Sequence, residues 1–507
     1  MAGAAVVAGV LLRLHARSEL WLDEALSVNI ARLPLQELPE ALRHDGSPPL
    51  YYLLLHGWTA VFGTGNDAVR LLSGLFSVAA LPLAWFAGRR VAGRTGAWAA
   101  LLLLATSPFA IRYATEARMY ALVQLLVLAG LVALGRALER PSLGRLAVLA
   151  VVAGLLPLVH YWTVYLLAVV AVVLAVLVVR SRSRSRRPAR RALVALGAGA
   201  LLFVPWLPSF LYQSAHTGTP WAKRASPVHA AIGSLFDIGG APRSTGVVVA
   251  LVLQALVVLA VFGRGVDGRR VELDFRTRPE GRGEAAVAAG TMVLGLGASV
   301  VLGTAFAPRY VSVVFPLLIV LAALGTRTLL DRRLRIAMVA TAAVLGLVTG
   351  ALNMFFPRTQ AGEVAAAITA QGRPGDVVVY CPDQLGPAVN RLLPPGYRQL
   401  PFPAGGDPRF VDWVGYHARN RAAQPVPFAQ RAVELAGRDH DVWLVWVGGY
   451  RTFGLKCERV SDELARLRPA ASVVFEPDEV VFERMNLTRL PPTPGDEARE
   501  AGTGTGP

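Results

Sequence analysis

The sequence predicts an α-helical polytopic membrane protein of about eleven transmembrane helices, followed by a small C-terminal extracytoplasmic α/β domain. Three observations carry that expectation. Of 507 residues, 54% are hydrophobic and only 17% charged, with a mean hydropathy of +0.47, whereas soluble domains carry about a quarter charged residues. Apolar runs near the length needed to cross a hydrocarbon core recur as far as residue 356. The loops between those runs differ sharply in arginine content.

The candidate spans lie near residues 2–15, 67–87, 95–111, 119–137, 145–160, 161–179, 192–211, 245–263, 285–305, 311–326 and 336–356. The first is short: about 13 residues precede Arg17, or about 20 Å of helix against a core of about 30 Å. Either the true start lies upstream or helix one is incomplete. A signal peptide fits less well, because no small-residue cleavage site follows and no basic stretch precedes it.

The net charge of +17 invites a nucleic-acid reading, but its distribution argues against one. Alternate loops contain 23 arginines, from Arg89 to Arg335, against seven acids: Glu139, Asp267, Glu272, Asp274, Glu280, Glu284 and Asp331. Nearly the whole excess therefore lies in those loops, the positive-inside bias that makes them cytoplasmic. The remaining loops fall outside: residues 16–66, 112–118, around 160, 212–244, 306–310 and the chain after about 357. In the first of these, Arg32 to Leu42 has an amphipathic pattern suited to a short helix along the interface.

The expected organisation is a membrane domain over residues 1–356, an α/β domain over 357–490 and a disordered tail over 491–507 rich in Pro, Gly, Thr and Glu. In the α/β domain, Val377 to Tyr380 and Val442 to Val447 read as buried strands, and residues 427–436 and 460–468 as helices. Cys381 and Cys457 both fall in this outer region, where a disulfide would persist. Their spacing leaves the pairing open.

Chemistry-bearing residues gather in the outer segments. Trp21-Leu22-Asp23-Glu24 places two adjacent carboxylates where helix one emerges. They read either as solvated acids beyond an interfacial Trp anchor or as a general base for an attacking hydroxyl. Asp45 precedes Ser47-Pro48-Pro49-Leu50-Tyr51-Tyr52, whose proline pair stiffens the chain and forbids regular helix before it. Glu116 and Arg118 stand at the junction of two apolar helices, either as an ion pair or as part of a site in which guanidinium grips phosphate. Arg309 and Tyr310 occupy another outer helix mouth. His160, Tyr161 and Trp162 sit at an outer turn, and Trp206, Tyr212 and Trp221 border the next loop. Most of these suit an interfacial aromatic belt, and Trp221 also suits stacking on a sugar face. A lone His160 is too little for a metal site. No metal-type cysteine cluster, dinucleotide fingerprint or P-loop occurs, so no cofactor is indicated.

These segments together resemble the GT-C superfamily of membrane glycosyltransferases, in particular the branch similar to dolichyl-phosphate-mannose protein mannosyltransferases and bacterial lipid-A sugar transferases. Five signals in order, across roughly residues 15–325, carry the resemblance: Asp23-Glu24, Pro48 to Tyr52, Arg70-Leu71-Leu72-Ser73, Glu116 to Tyr120, and Pro308-Arg309-Tyr310. Ser47 departs from relatives that often place His or Lys before the proline pair.

The resemblance implies transfer of a sugar, with inversion, from a polyprenyl-phosphate donor to a glycan, lipid or protein acceptor at the outer face of the cell membrane. It further implies Asp23 as catalytic base, Glu24 as an acceptor-positioning neighbour, Asp45 as a second active-site acid, and Arg118 and Arg309 as phosphate binders with Tyr310 alongside. Two other classes remain: a transporter or flippase of lipid-linked sugars, and a membrane scaffold presenting the C-terminal domain. The first would favour broken helices with midplane charges, whereas the candidate charges here sit at one face. The second leaves the carboxylates and arginines unexplained.

Overall fold

The computed structural model describes residues 1–180, 183–218, 226–240, 244–267, 270–276, 280–304, 306–450 and 452–492. Trp221 and the expected disordered tail from residue 493 onward lie outside them. The chain divides into two compact units: one of Met1–Ala16, Ser47–Tyr212 and Arg224–Phe355, the other of Arg17–Gly46, Gln213–Lys223 and Phe356–Pro507.

The first unit is a helical bundle. Among the described residues, seven of its helices are long and apolar enough to cross a membrane: Asn66–Ala105, Tyr120–Glu139, Thr163–Arg180, Ser185–His216, Thr245–Phe262, Arg282–Val301 and Arg332–Phe355. Shorter apolar helices cover Ala2–Leu11, Leu50–Phe62, Leu143–Val159 and Phe315–Thr328. The expected spans at 67–87 and 95–111 are two halves of Asn66–Ala105, separated by non-helical backbone at Ala92 and at Gly93, where φ is +62°. That positive φ suits glycine. The halves then pack so closely that a Cβ added at Gly88 would collide with the carbonyl oxygen of Gly96. Near 201–206 the helical run tightens into a 3₁₀ segment containing Pro205, which supplies no N–H to an α-helical ladder.

Arg13 closes the short first helix. Its guanidinium is fully buried and donates to the Ser77 hydroxyl at 2.9 Å and to the carbonyls of Gly9 at 2.6 Å, Ala105 at 2.5 Å and Leu104 at 2.6 Å. The last two carbonyls belong to the end of Asn66–Ala105, where a helix has acceptors to spare and a partial negative charge. A two-stranded ribbon of β1 (Gly263–Asp267) and β2 (Arg270–Leu273) completes this unit.

The second unit is built on a five-stranded sheet of β3 (Val377–Cys381), β4 (Arg398–Pro401), β5 (Val442–Trp446), β6 (Ser472–Phe475) and β7 (Asn486–Leu490), in the order β4-β3-β5-β7-β6. β3 runs parallel to β4 and β5, while β7 runs antiparallel to β5 and β6. Both expected strands are therefore central. Residues Val377, Val379, Cys381, Val442 and Leu444 face one core, and Val378, Tyr380, Trp443 and Val445 face another. This accounts for continuous apolar runs rather than alternation. Helices Pro425–Ala436 and Lys456–Leu467 match the expected helical stretches.

Residues 17–46 contribute to the same unit. Leu26, from the helix Leu22–Ala31, lies in the core that contains Val377 and Val442. The interfacial helix expected over 32–42 instead begins at Leu38, with Pro39 in its first turn, and ends at Gly46, where φ is +79°. Cys381 and Cys457 are bridged, with Cα atoms 5.5 Å apart, and thereby join the end of β3 to Lys456–Leu467.

Two outcomes follow. Arg13→Ala strands two helix-terminal carbonyls and should lower stability by on the order of 3 kcal/mol, read as a fall in melting midpoint of the detergent-solubilised protein. The bridge closes a separation of 76 residues, so C381S/C457S should destabilise the second unit by about 4 kcal/mol on loop entropy, measured by denaturant unfolding of that unit's tryptophan signal.

Candidate active site

Candidate residues fall in both units. In the helical unit they converge on Arg118. The turn between helices Pro108–Ala114 and Tyr120–Glu139 holds Glu116 and Arg118, and both are buried. Ser107 starts the preceding helix by accepting a hydrogen bond from the Ala110 N–H at 3.2 Å, a side-chain cap at the N-terminus.

Three motif residues fix the Arg118 turn. The Tyr51 hydroxyl bonds the Ser73 hydroxyl at 2.9 Å, Ser73 donates to the Arg118 carbonyl at 3.1 Å, and the Arg118 guanidinium donates to the Tyr52 hydroxyl at 3.1 Å. Arg70 donates to the Ala16 carbonyl at 3.2 Å. The segments 48–52, 70–73 and 116–120 thus become one hydrogen-bonded construction around a buried arginine.

Arg309 and Tyr310 begin the 3₁₀ segment Pro308–Val313 beside it. His160 lies between the rings of Tyr120, at 5.8 Å, and Tyr310, at 5.3 Å, and the charges of both Arg118 and Arg309 act on it. Trp162 packs against Tyr310 at 5.2 Å with the planes 31° apart. Glu116, Arg112 and Arg309 are all electrostatically coupled to Tyr113. Two guanidinium groups with phenols and an imidazole around them form an environment suited to a phosphate, which guanidinium binds through paired hydrogen bonds. Tyr51, Tyr52, Ser73 and His160 were not assigned this role from sequence. Their presence inside or beside the motif segments was the available signal.

In the second unit Asp23 and Glu24 form the first turn of Leu22–Ala31, where carboxylates favour the positive end of the helix. Glu24 is fully buried, with Arg358 3.8 Å away, and Asp23 is part-buried. Glu483 accepts a hydrogen bond from the Leu22 N–H at 3.0 Å. Burial, with the charges of Asp23 and Glu24, pushes its carboxyl up to about 8, against the opposing hydrogen bonds from Thr359 and Leu22. Burial raises the Tyr450 hydroxyl, against a hydrogen bond with Gln384, and the charges of Asp383, Asp23 and Glu483 raise it further.

Burial pushes Asp383 up to about 7, although it accepts a hydrogen bond from Tyr416 at 2.6 Å. Asp45 ends the helix Leu38–Asp45 and is part-buried; its neighbour His44 bonds Asp412 at 2.8 Å. Among the described residues no three His, Cys, Asp or Glu side chains gather as a metal site. Arg358 and Glu483 escaped the sequence reading because nothing in their local sequence ties them to a helix more than 300 residues away.

Known structures give this arrangement a context. The fold is similar to that of ArnT from Cupriavidus metallidurans in the apo state, with a TM-score of 0.62 and 15% identity, over 97% of this chain and 98% of that one. The same protein bound to undecaprenyl phosphate gives 0.61 and 14% over the same shares. The Archaeoglobus fulgidus oligosaccharyltransferase, tethered to an acceptor peptide containing the NVT sequon, gives 0.51 and 12%, over 92% of this chain and 72% of that one. No curated protein sequence matches the chain. Residues 46–208 match the model of the dolichyl-phosphate-mannose-protein mannosyltransferase family, a stretch that takes in all three segments built around Arg118. The chain is a multi-pass membrane protein whose fold is similar to that of ArnT, and the match to the dolichyl-phosphate-mannose-protein mannosyltransferase family lies over residues 46–208.

Proposed function

We propose that this protein is an inverting glycosyltransferase. It moves a sugar, mannose-like or another hexose or pentose, from a polyprenyl-phosphate carrier to a glycan, lipid or protein acceptor at the outer face of the cell membrane. The observation that supports it most is the convergence of Tyr52, Tyr51 and Ser73 on Arg118, with Arg309 and Tyr310 alongside. Such a costly arrangement of buried cations is what a phosphate-bearing lipid requires. The fold-level likeness to ArnT, which has been seen bound to undecaprenyl phosphate, agrees with that choice of donor.

In this mechanism the acceptor hydroxyl attacks C1 of the sugar and its proton passes to Asp23. The bond from C1 to the phosphate oxygen breaks and the electron pair leaves with the phosphate, where Arg118 and Arg309 stabilise the growing charge. Tyr310 and Glu116 border the donor. Glu24, held by Arg358, keeps its helix turn in place for the acceptor, and Asp45 is a second acid on the acceptor side. The segment 357–490 is assigned outside the cytoplasm, in keeping with the arginine-rich loops on the other side.

Membranes containing the wild-type protein should transfer radiolabel from a polyprenyl-phosphate sugar to acceptor, and Asp23→Asn at equal expression should transfer on the order of 10² to 10⁴ times more slowly. Retained transfer in the variant would remove Asp23 from the role. Label that crosses the membrane still attached to lipid would instead favour a flippase. Arg118→Met should weaken binding of polyprenyl phosphate by about 10- to 100-fold, since hydrogen bonds to charged groups contribute about 1.5–3 kcal/mol. Tyr52→Phe should weaken it less, because the guanidinium keeps its charge. Titration of purified protein with the lipid phosphate measures both.

A further inference from the structure

We propose that Glu483 is a positioning residue for the turn that carries Asp23 and Glu24. The inference rests on the assignment of Asp23 as base and extends it to a residue 460 positions away.

The geometry is that of a clamp. Glu483 is itself fixed by backbone pairing: its N–H donates to the Arg358 carbonyl at 2.9 Å, and its carbonyl accepts from the Gln360 N–H at 3.1 Å. The Gln360 side chain holds the neighbouring chain by accepting from Asp478 at 3.0 Å and Met485 at 2.9 Å. From this fixed strip three contacts reach the start of Leu22–Ala31. Glu483 accepts from the Leu22 N–H at 3.0 Å, one of the donors a helix N-terminus leaves unsatisfied. Phe482 meets Trp21 edge to face at 5.2 Å. Arg358 lies 3.8 Å from Glu24, and its N–H donates to the Ser18 hydroxyl at 2.7 Å. Asp23 therefore sits on a turn whose backbone, preceding residue and following residue are each held by the 358–360 and 482–483 strip.

The protonation state matters because of what surrounds Glu483. Asp23 and Glu24 act on it from the helix and Tyr450 from the loop after β5, while Thr359 supplies a hydrogen bond and the Arg358 guanidinium is directed to Glu24. The Glu483 Oε2 atom is shut off from solvent and makes no protein hydrogen bond among the described residues. A neutral carboxylic acid there can hold the turn through Oε1 without adding a third negative charge beside Asp23 and Glu24.

With the folded carboxyl raised to about 8 and an unfolded Glu near 4.3, the folded protein holds a proton that the unfolded chain releases. Stability at this site is therefore full below about pH 4.3 and declines as pH rises towards 8. Above that, ionised Glu483 repels its two neighbours and loosens the turn.

The test uses the full-length protein in detergent, comparing wild type, Glu483→Gln, Glu483→Ala and Asp23→Asn by melting midpoint and by transfer rate between pH 5 and 9. Glu483→Gln keeps an acceptor for the Leu22 N–H and stays neutral. It should melt like the wild type at pH 5 and several degrees higher at pH 8, and should lose the alkaline fall in rate. Glu483→Ala should lower kcat at least tenfold at pH 5 to 7, with the glutamine variant restoring most of it. A melting profile of Glu483→Gln parallel to the wild type across the whole range would overturn the held proton. A folded Glu483→Ala protein with wild-type kcat would overturn the positioning role. Asp23→Asn separates these results from the base assignment: if it alone transfers normally, the base is wrong, while the melting comparison still decides the state of Glu483.

Discussion

A guanidinium removed from water must be supplied with acceptors, and the helical unit is organised around that requirement. Arg13 spends its donors on the exposed carbonyl end of Asn66–Ala105, and so ties a ten-residue first helix to the longest one. Arg118 is enclosed by tyrosine and serine hydroxyls contributed by two other helices. In the first case the arginine donates to one serine hydroxyl and otherwise to backbone carbonyls at a helix end, which suits a structural role. In the second, the guanidinium donates to the Tyr52 hydroxyl and stands near a further arginine and an imidazole, a setting that suits an anionic ligand.

The sheet unit faces the opposite problem, since it must hold carboxylates close together. It does so with graded means: Glu24 is ion-paired to Arg358, Asp383 is hydrogen-bonded by Tyr416, and Glu483 accepts from the Leu22 N–H while burial raises its carboxyl. Parallel strands β3 and β5, covered on both faces, give this unit the rigidity from which loops on either side can be positioned. The Cys381–Cys457 bridge anchors the end of β3 to a helix.

Much of the fold was legible because lipid imposes a simple rule: long apolar helices with arginine on one side. The central strands were legible for a related reason, since Val377 to Tyr380 and Val442 to Val447 are buried on both faces. The strands β4, β6 and β7 were not, because their short runs mix exposed and buried residues without an apolar signature. The helix Leu22–Ala31 was read only as an outer segment, since its burial comes from the C-terminal sheet rather than from its own periodicity. Charged candidates were given roles from their motifs, whereas their holders were not. Tyr52 and Ser73 lay inside motif segments without a role of their own, and Glu483 looked like one acid among several, until tertiary contacts gave them partners.

The most direct measurement is the stereochemistry and stoichiometry of a single turnover. Purified protein would be supplied with a polyprenyl-phosphate sugar of known anomeric configuration and an acceptor, and the products resolved by NMR coupling constants and mass spectrometry. Direct displacement at C1 with a carboxylate base yields one free polyprenyl monophosphate per glycoside formed, with the configuration inverted. A glycoside of retained configuration, or donor recovered intact while acceptor stays unmodified under conditions where the lipid demonstrably binds, would contradict it.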